Sequence, residues 1–224
     1  SFVRLTQLST STRYSYAAAS EVYKRKTQKY FNSLIGLGAA NGLYSKQRLV
    51  PFGEYVPLES LFRGAIDFFD LPTSVISRGK RSQRGIRMNQ YDIASAICYE
   101  IVYPALVAEL AKNSHLIVTV SNDAWFGESI GPLQHFHMAR MRALETGRYV
   151  IRATNNGVSA IIAPNGEITA QSDQFVSTYL EGEVTPMQGN TPYLIWKNYL
   201  VLSLLALLAA ALLFLDRKQP ALED

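Results

Sequence analysis

The spacing of apolar residues changes character along the chain. From residue 91 onward it is regular. DIASAIC (92–98) is a short apolar run that reads as a strand, and YPALVAELAK (103–112) has helical spacing with Pro104 in its first turn. HLIVTVSND (115–123) is a continuous apolar run, as in a strand covered on both faces. Gly131-Pro132 opens a helix predicted to run to Thr146, where Gly147 ends it. YVIRATNNGVSAIIAPNGEIT (149–169) places the turn pairs Asn156-Gly157 and Asn165-Gly166 between apolar strands. Helices alternate with strands and hairpins follow, which predicts an α/β fold with a mixed sheet.

Upstream the pattern is weaker. Residues 1–29 are rich in Ser, Thr, Tyr and Lys, show no clean period and are left unplaced. YFNSLIGLG (30–38) reads as a strand and turn, and LYSKQRLVPFGEYVP (43–57) as a strand interrupted by two prolines. Gly36, Gly38 and Gly42 follow GxGxxxG spacing with no βαβ unit around them, so they are turn glycines rather than a phosphate loop. Residues 58–70, LESLFRGAIDFFD, have helical spacing; Phe68 and Phe69 fit either a helix packed on the core or a lipid-facing flap. The stretch 77–88 carries Arg78, Lys80, Arg81, Arg84 and Arg87 and reads as a solvated loop.

At the other end, YLVLSLLALLAAALLFL (199–215) contains one Ser and no charge. At ~1.5 Å per residue it is about 25 Å long, and about 33 Å if extended back to Leu194. That is enough to cross a bilayer core of roughly 30 Å. Tyr193, Trp196 and Tyr199 would form an aromatic belt, and Lys197 could snorkel outward. Asp216, Arg217 and Lys218 follow, so the positive-inside rule predicts a cytoplasmic tail at 216–224 and the preceding domain on the opposite side. The expected division is therefore an unplaced segment 1–29, a catalytic domain 30–192, a transmembrane helix 193–215 and a tail 216–224.

Composition modifies this picture little. The 224 residues suffice for one core of ordinary size. The net charge of +4 does not imply nucleic acid, and suits a surface near anionic head groups. A single cysteine excludes an intramolecular disulfide. The chain starts at Ser1 without methionine or a signal-like stretch, so a cut or processed end is expected.

That cysteine is the main chemical candidate. Cys98 stands where a buried strand gives way to a helix, a junction that exposes a side chain and offers backbone N–H groups to a thiolate or oxyanion. Free cysteine is also often a small buried hydrophobe. Glu100 lies just after the turn, and SNDAWFG places Asn122, Asp123, Trp125 and Phe126 at the end of the next strand. Adjacent carboxyl ends of α/β strands open on one crevice. Lys46 precedes Glu54 by eight residues, and a lysine beside a thiol lowers its pKa. Either charge could equally be a surface residue. His135 and His137, at i and i+2, point to different faces of a helix, and neither cysteine nor carboxylate completes a site; no metal and no cofactor are expected.

Taken together, LVPFGEYVPLESL, AICYE, SNDAWFG, GPLQHFHMARMRALE and TNNG closely resemble the apolipoprotein N-acyltransferases, bacterial inner-membrane members of the nitrilase (carbon–nitrogen hydrolase) superfamily. The likeness runs from about Tyr30 to the C-terminal helix. It implies an α-β-β-α sandwich, incomplete here at its N-terminus and facing the periplasm, and a Glu-Lys-Cys set. Cys98 matches the nucleophile, Lys46 the lysine and Glu54 a second essential glutamate. Tyr99 and Glu100 match needed residues beside the nucleophile, with Asn122, Trp125 and Phe126 as substrate-side support. The implied reaction moves an acyl chain from a phospholipid to Cys98, and from that thioester to the α-amino group of a diacylglyceryl-cysteine lipoprotein.

The family's general-base glutamate lies in a Trp-Pro-Glu segment with no counterpart before Tyr30, and Glu21 has other surroundings. Further N-terminal membrane helices of the family are also absent, so a fragment is expected, one that does not turn over by itself. The competing functions are a membrane-tethered amidase or nitrilase that uses water as acceptor, and a non-catalytic membrane-anchored domain.

Overall fold

The computed structural model describes residues 2–6, 29–51, 53–55, 76–83 and 85–216. The 58–70 segment with Phe68 and Phe69 lies outside these residues, as does most of 1–29. Eight strands form one mixed sheet: β2 (Ser33–Ile35), β3 (Ala40–Ser45), β4 (Gly85–Met88), β5 (Tyr91–Ile97), β6 (Leu116–Asn122), β7 (Val150–Asn155), β8 (Ala160–Ile162) and β9 (Ile168–Gln171). They are hydrogen-bonded in that order, so each strand neighbours the next in sequence. β5, β6 and β7 are parallel, and every other neighbouring pair is antiparallel. Two crossovers connect the parallel strands through helices α1 (Pro104–Ala111) and α2 (Gly131–Thr146). A separate ribbon pairs β1 (Phe2–Thr6) with β10 (Tyr179–Glu183).

Alternation along the strands explains the packing. Ala94 and Ala96 on β5 join Ile117 and Val150 in a cluster under α1 and α2, which contribute Val107, Ala111, Phe136, Ala139 and Ala143. The intervening residues Ile93, Ile97, Leu116 and Ile151 enter a second cluster with Leu34, Tyr44, Ile161 and Val184. Both faces are thus buried, as the continuous apolar runs predict. A Cβ at Gly182 on β10 would meet Ile161 Cδ1 at 2.7 Å, so the ribbon lies close over the second face.

The helix boundaries match the sequence signals. Pro104 and Pro132 sit in the first turns of α1 and α2, and Gly147 caps α2 in the left-handed region at φ 62°. Three elements differ. Part of the unplaced N-terminal segment is β1, held by long-range pairing to β10 rather than by a pattern of its own. The cation-rich stretch does not end as a loop: Gly85–Met88 is β4, where Arg87 lies opposite Asp92 and pairs with it at 3.3 Å. The single helix expected over 193–215 is broken into α3 (Pro192–Trp196) and α4 (Tyr199–Asp216) at Lys197, which has φ 49°. The reason is packing. Leu194 is buried in the core, and Thr191 Oγ1 donates to the carbonyl of Glu145, so α3 belongs to the domain. Among the described residues no helix is long and apolar enough to cross a membrane.

Candidate active site

β3 runs in the same direction as β5, because both are antiparallel to β4 between them. The C-terminal ends of β3, β5, β6 and β7 therefore share one edge of the sheet. Lys46, Cys98, Asp123 and the Asn155-Asn156-Gly157 turn follow those ends directly.

Cys98 opens a 3₁₀ turn, Cys98–Val102, and has φ 55°. A left-handed conformation costs a non-glycine residue roughly 1–2 kcal/mol, so the surrounding fold has to hold it. Glu100 is one such hold. It is fully buried and accepts four hydrogen bonds: from Ile97 N (2.9 Å) and Tyr44 Oη (3.1 Å) on one oxygen, and from Gln47 N (2.6 Å) and Arg48 N (2.9 Å) on the other. Burial pushes its carboxyl above the ordinary value, against the pull of these donors. Burial and the Glu100 charge push the Tyr44 phenol far up in turn. Mechanically, Glu100 straps the loop after Lys46 to the turn that carries Cys98.

Lys46 is 1% exposed, and its Nζ donates to Glu54 Oε1 at 2.7 Å. Glu54 also accepts from Asn32 Nδ2 at 2.9 Å and from Val50 N at 2.8 Å. The lysine is thus buried as one half of an ion pair whose carboxylate is fixed on both oxygens. Gly79 lets the backbone pass here, since a Cβ would collide with the carbonyl of Ser45. Tyr99 is half-buried and stacks edge-on with Tyr103, which in turn receives the Arg48 guanidinium 5.6 Å from its ring centre.

The β6 residues separate into different roles. Asn122 is exposed and caps the 3₁₀ turn Asp123–Phe126 by accepting from Ala124 N at 3.2 Å. Trp125 is 81% exposed, a large apolar side chain facing outward at this edge. Phe126 is half-buried against the His135 ring, 6.1 Å between centres.

Asp123 organises a buried set for which sequence reasoning gave no role. It accepts from Ser121 Oγ at 2.6 Å and from Arg152 Nη2 at 2.6 Å, and lies 3.1 Å from His135 Nδ1. Burial alone would raise its carboxyl; the His135 hydrogen bond, the Arg152 charge and Ser121 outweigh this and hold it below the ordinary range. Arg152, on β7, is fully buried and also donates through Nε to the carbonyl of Val158 at 3.1 Å. Its burial lowers its guanidinium, while Asp123 and Cys98 oppose that fall. The signal was present in the sequence: an arginine inside the apolar run VIRAT must find a buried partner. Among the described residues no group of three or more His, Cys, Asp or Glu is placed to hold a metal ion.

A mixed α/β sheet with a lone cysteine strained at the end of a central parallel strand defines the class. Residues 4–192 match the carbon–nitrogen hydrolase family, and the chain belongs to it. Among individual proteins, it is 55% identical over 181 residues to an apolipoprotein N-acyltransferase of Pseudomonas putida, covering 81% of this chain and 36% of that protein. An apolipoprotein N-acyltransferase of Azotobacter vinelandii is 53% identical over 193 residues, covering 86% and 37%. The chain thus spans little more than a third of the length of these curated relatives. A glutamine-dependent NAD+ synthetase of Acinetobacter baumannii, solved with adenosine diphosphate, superposes with a TM-score of 0.52 at 15% identity over 71% of this chain and 29% of that one, which speaks to the fold alone.

Proposed function

We propose that this chain is the cysteine-bearing part of a phospholipid:apolipoprotein N-acyltransferase. The observation that carries the reading is the strained Cys98 turn at one sheet edge with the buried Lys46–Glu54 pair, the two strapped together by Glu100. The identity to acyltransferases over four-fifths of the chain supports it.

Cys98, as thiolate, attacks the ester carbonyl of a phospholipid; the ester C–O bond breaks and the lysophospholipid leaves as an alcohol. The amine of a diacylglyceryl-cysteine then attacks the thioester, forming an amide and returning the thiol. Splitting one transfer into two lowers each barrier. Lys46 stabilises the anionic sulfur and oxyanion, and Glu54 holds Lys46. Glu54 and Glu100 are both taken up as acceptors of fixed donors, so neither is free to abstract the proton. That step belongs to a further glutamate, as the resemblance implies. Tyr99 and Asn122 shape the rim of the site. Trp125 and Phe126 face the acyl chain, a role also proposed for Phe68 and Phe69 of the 58–70 segment, which lies outside the described residues.

In an α-β-β-α arrangement, α1 and α2 over the eight-stranded sheet would be one helical and one β layer, and the β1–β10 ribbon on the sheet's other face part of the second β layer. α4 is inserted in the bacterial inner membrane, with the catalytic domain periplasmic and Asp216, Arg217 and Lys218 on the cytoplasmic side. Every side chain described on α4 is exposed, which supports that reading. Its 18 residues amount to about 27 Å, so local thinning of the bilayer accompanies it.

The test is acyl capture. Incubation of the full-length enzyme with phosphatidylethanolamine is expected to add one acyl mass to Cys98, removable by hydroxylamine, and a diacylglyceryl-cysteine peptide is expected to take it over, while this chain by itself does not turn over. An adduct that persists in Cys98→Ala overturns the assignment. Release of free fatty acid without transfer, or of ammonia from an added small amide, assigns a hydrolase instead.

A further inference from the structure

The Cys98 carbonyl is held as firmly as the Glu100 strap holds its flanks. His135, on α2 and 3% exposed, brings Nε2 to 3.2 Å from Cys98 O. A carbonyl oxygen can only accept, so Nε2 must carry the proton. The other ring nitrogen lies 3.1 Å from Asp123 Oδ1 and 3.2 Å from Arg152 Nη2. With Nε2 protonated on a neutral ring it accepts from the guanidinium; donating to the Asp123 carboxylate while Nε2–H still reaches Cys98 O needs the imidazolium. Among the described residues, the ring is bonded or packed by Asp123 and Phe126 after β6, Arg152 on β7 and Cys98 after β5. Ser121 and the Val158 carbonyl fix Asp123 and Arg152 from behind. Gly157 leaves room for this packing, because a Cβ there would run into the Asp123 carboxylate.

We propose that His135 is a positioning residue for the nucleophile: its Nε2–H, braced by Asp123 and Arg152, clamps the Cys98 carbonyl and keeps the left-handed turn that aims Sγ into the site. The assignment rests on reading Cys98 as the nucleophile. It uses a backbone atom of Cys98 and leaves the thiol free, so the clamp acts on geometry and takes no part in proton transfer. Arg152 adds a buried cation electrostatically coupled to Cys98.

The experiment is alkylation of Cys98, the only cysteine, by iodoacetamide in the detergent-solubilised chain, below the unfolding temperature of each variant. His135→Ala is expected to slow alkylation about tenfold, the worth of one buried hydrogen bond, while His135→Gln, whose amide N–H can reach the same carbonyl, returns to within about threefold of the parent. His137→Gln, on the exposed side of α2, leaves the rate unchanged. A His135→Ala protein that is folded and reacts at the parental rate overturns the proposal. If His135→Ala does not fold, His135→Gln and the parent decide it. Imidazole ¹⁵N spectra, assigned with His115→Gln and His137→Gln, should show a proton on Nε2 of His135; an unprotonated Nε2, or a folded His135→Gln slowed about tenfold or more relative to the parent, overturns it. Neither readout involves phospholipid. Slowed alkylation together with no acyl transfer by the full-length enzyme would therefore remove the transferase reading and keep this one, whereas a native Cys98 that reacts only on unfolding removes both.

Discussion

Glu100 accepts hydrogen bonds from three different segments, β3, the loop after it and the end of β5, and has no exposed surface. Glu100→Gln keeps the shape but turns an NH₂ toward two of those donors. The expected loss is about 2–4 kcal/mol in urea unfolding, from two buried donors left unpaired, with acyl capture on Cys98 falling further because the Lys46 loop is released. A loss within ±0.5 kcal/mol would mean that the strap is dispensable. Asp123 makes a pH prediction. Its folded carboxyl is held below the unfolded value of about 3.9, so its contribution is complete above that value and disappears as pH falls through the lowered one. The stability gap between the parent and Asp123→Asn should be widest near neutrality and close below about pH 4. A gap that stays constant to lower pH would place the Asp123 contribution in shape rather than charge. Cys98, Lys46, Glu54 and Glu100 stand out as candidates in the sequence because each sits in or beside a short motif. His135 and Arg152 could not be given partners, because their meeting depends on a helix and a strand 17 positions apart folding onto one aspartate.

At the scale of elements, the legible parts were those with local punctuation. Pro104 and Pro132 start helices, Gly147 ends one and Asn-Gly pairs mark the hairpins, all through backbone preferences that act within a few residues. β1 was illegible because its only reason to be a strand is β10, far away in sequence. β4 was hidden because its exposed Arg87, paired across to Asp92 on β5, adds to a run of cations that reads as a solvated loop. Gly147 can be tested directly. A Cβ there would combine a left-handed φ with a 2.9 Å approach to Thr191 Cγ2, where α3 docks on α2. Gly147→Ala is expected to cost about 1–2 kcal/mol by urea unfolding. An unchanged midpoint would show that α2 ends equally well with another cap.

For the molecule as a whole, the open question is what α4 does with its surface. The C-terminal apolar run was plain in the sequence, but its division was not, because only tertiary packing of Leu194 and the docking of Thr191 draw α3 back into the domain. The result is a helix after the domain whose leucines, from Leu200 at 46% exposure to Leu207 at 68%, are exposed among the described residues. Monomeric proteins rarely leave so large a contiguous apolar patch in water. The charge of +4 is too small to govern membrane affinity, so in the proposed reading it is burial of this helix that does. Two outcomes follow. The full chain should float with phosphatidylethanolamine vesicles and remain with them in ~0.5 M salt, where the Debye length shrinks to a few ångströms. A chain ending at Asn198 should stay at the bottom of the gradient while keeping the far-UV spectrum of a folded α/β domain, since α4 contributes no residue to either core cluster. Flotation of the shortened chain would move membrane affinity to the domain face around Trp125. Release of the full chain by salt would make the attachment electrostatic and leave α4 without its proposed role.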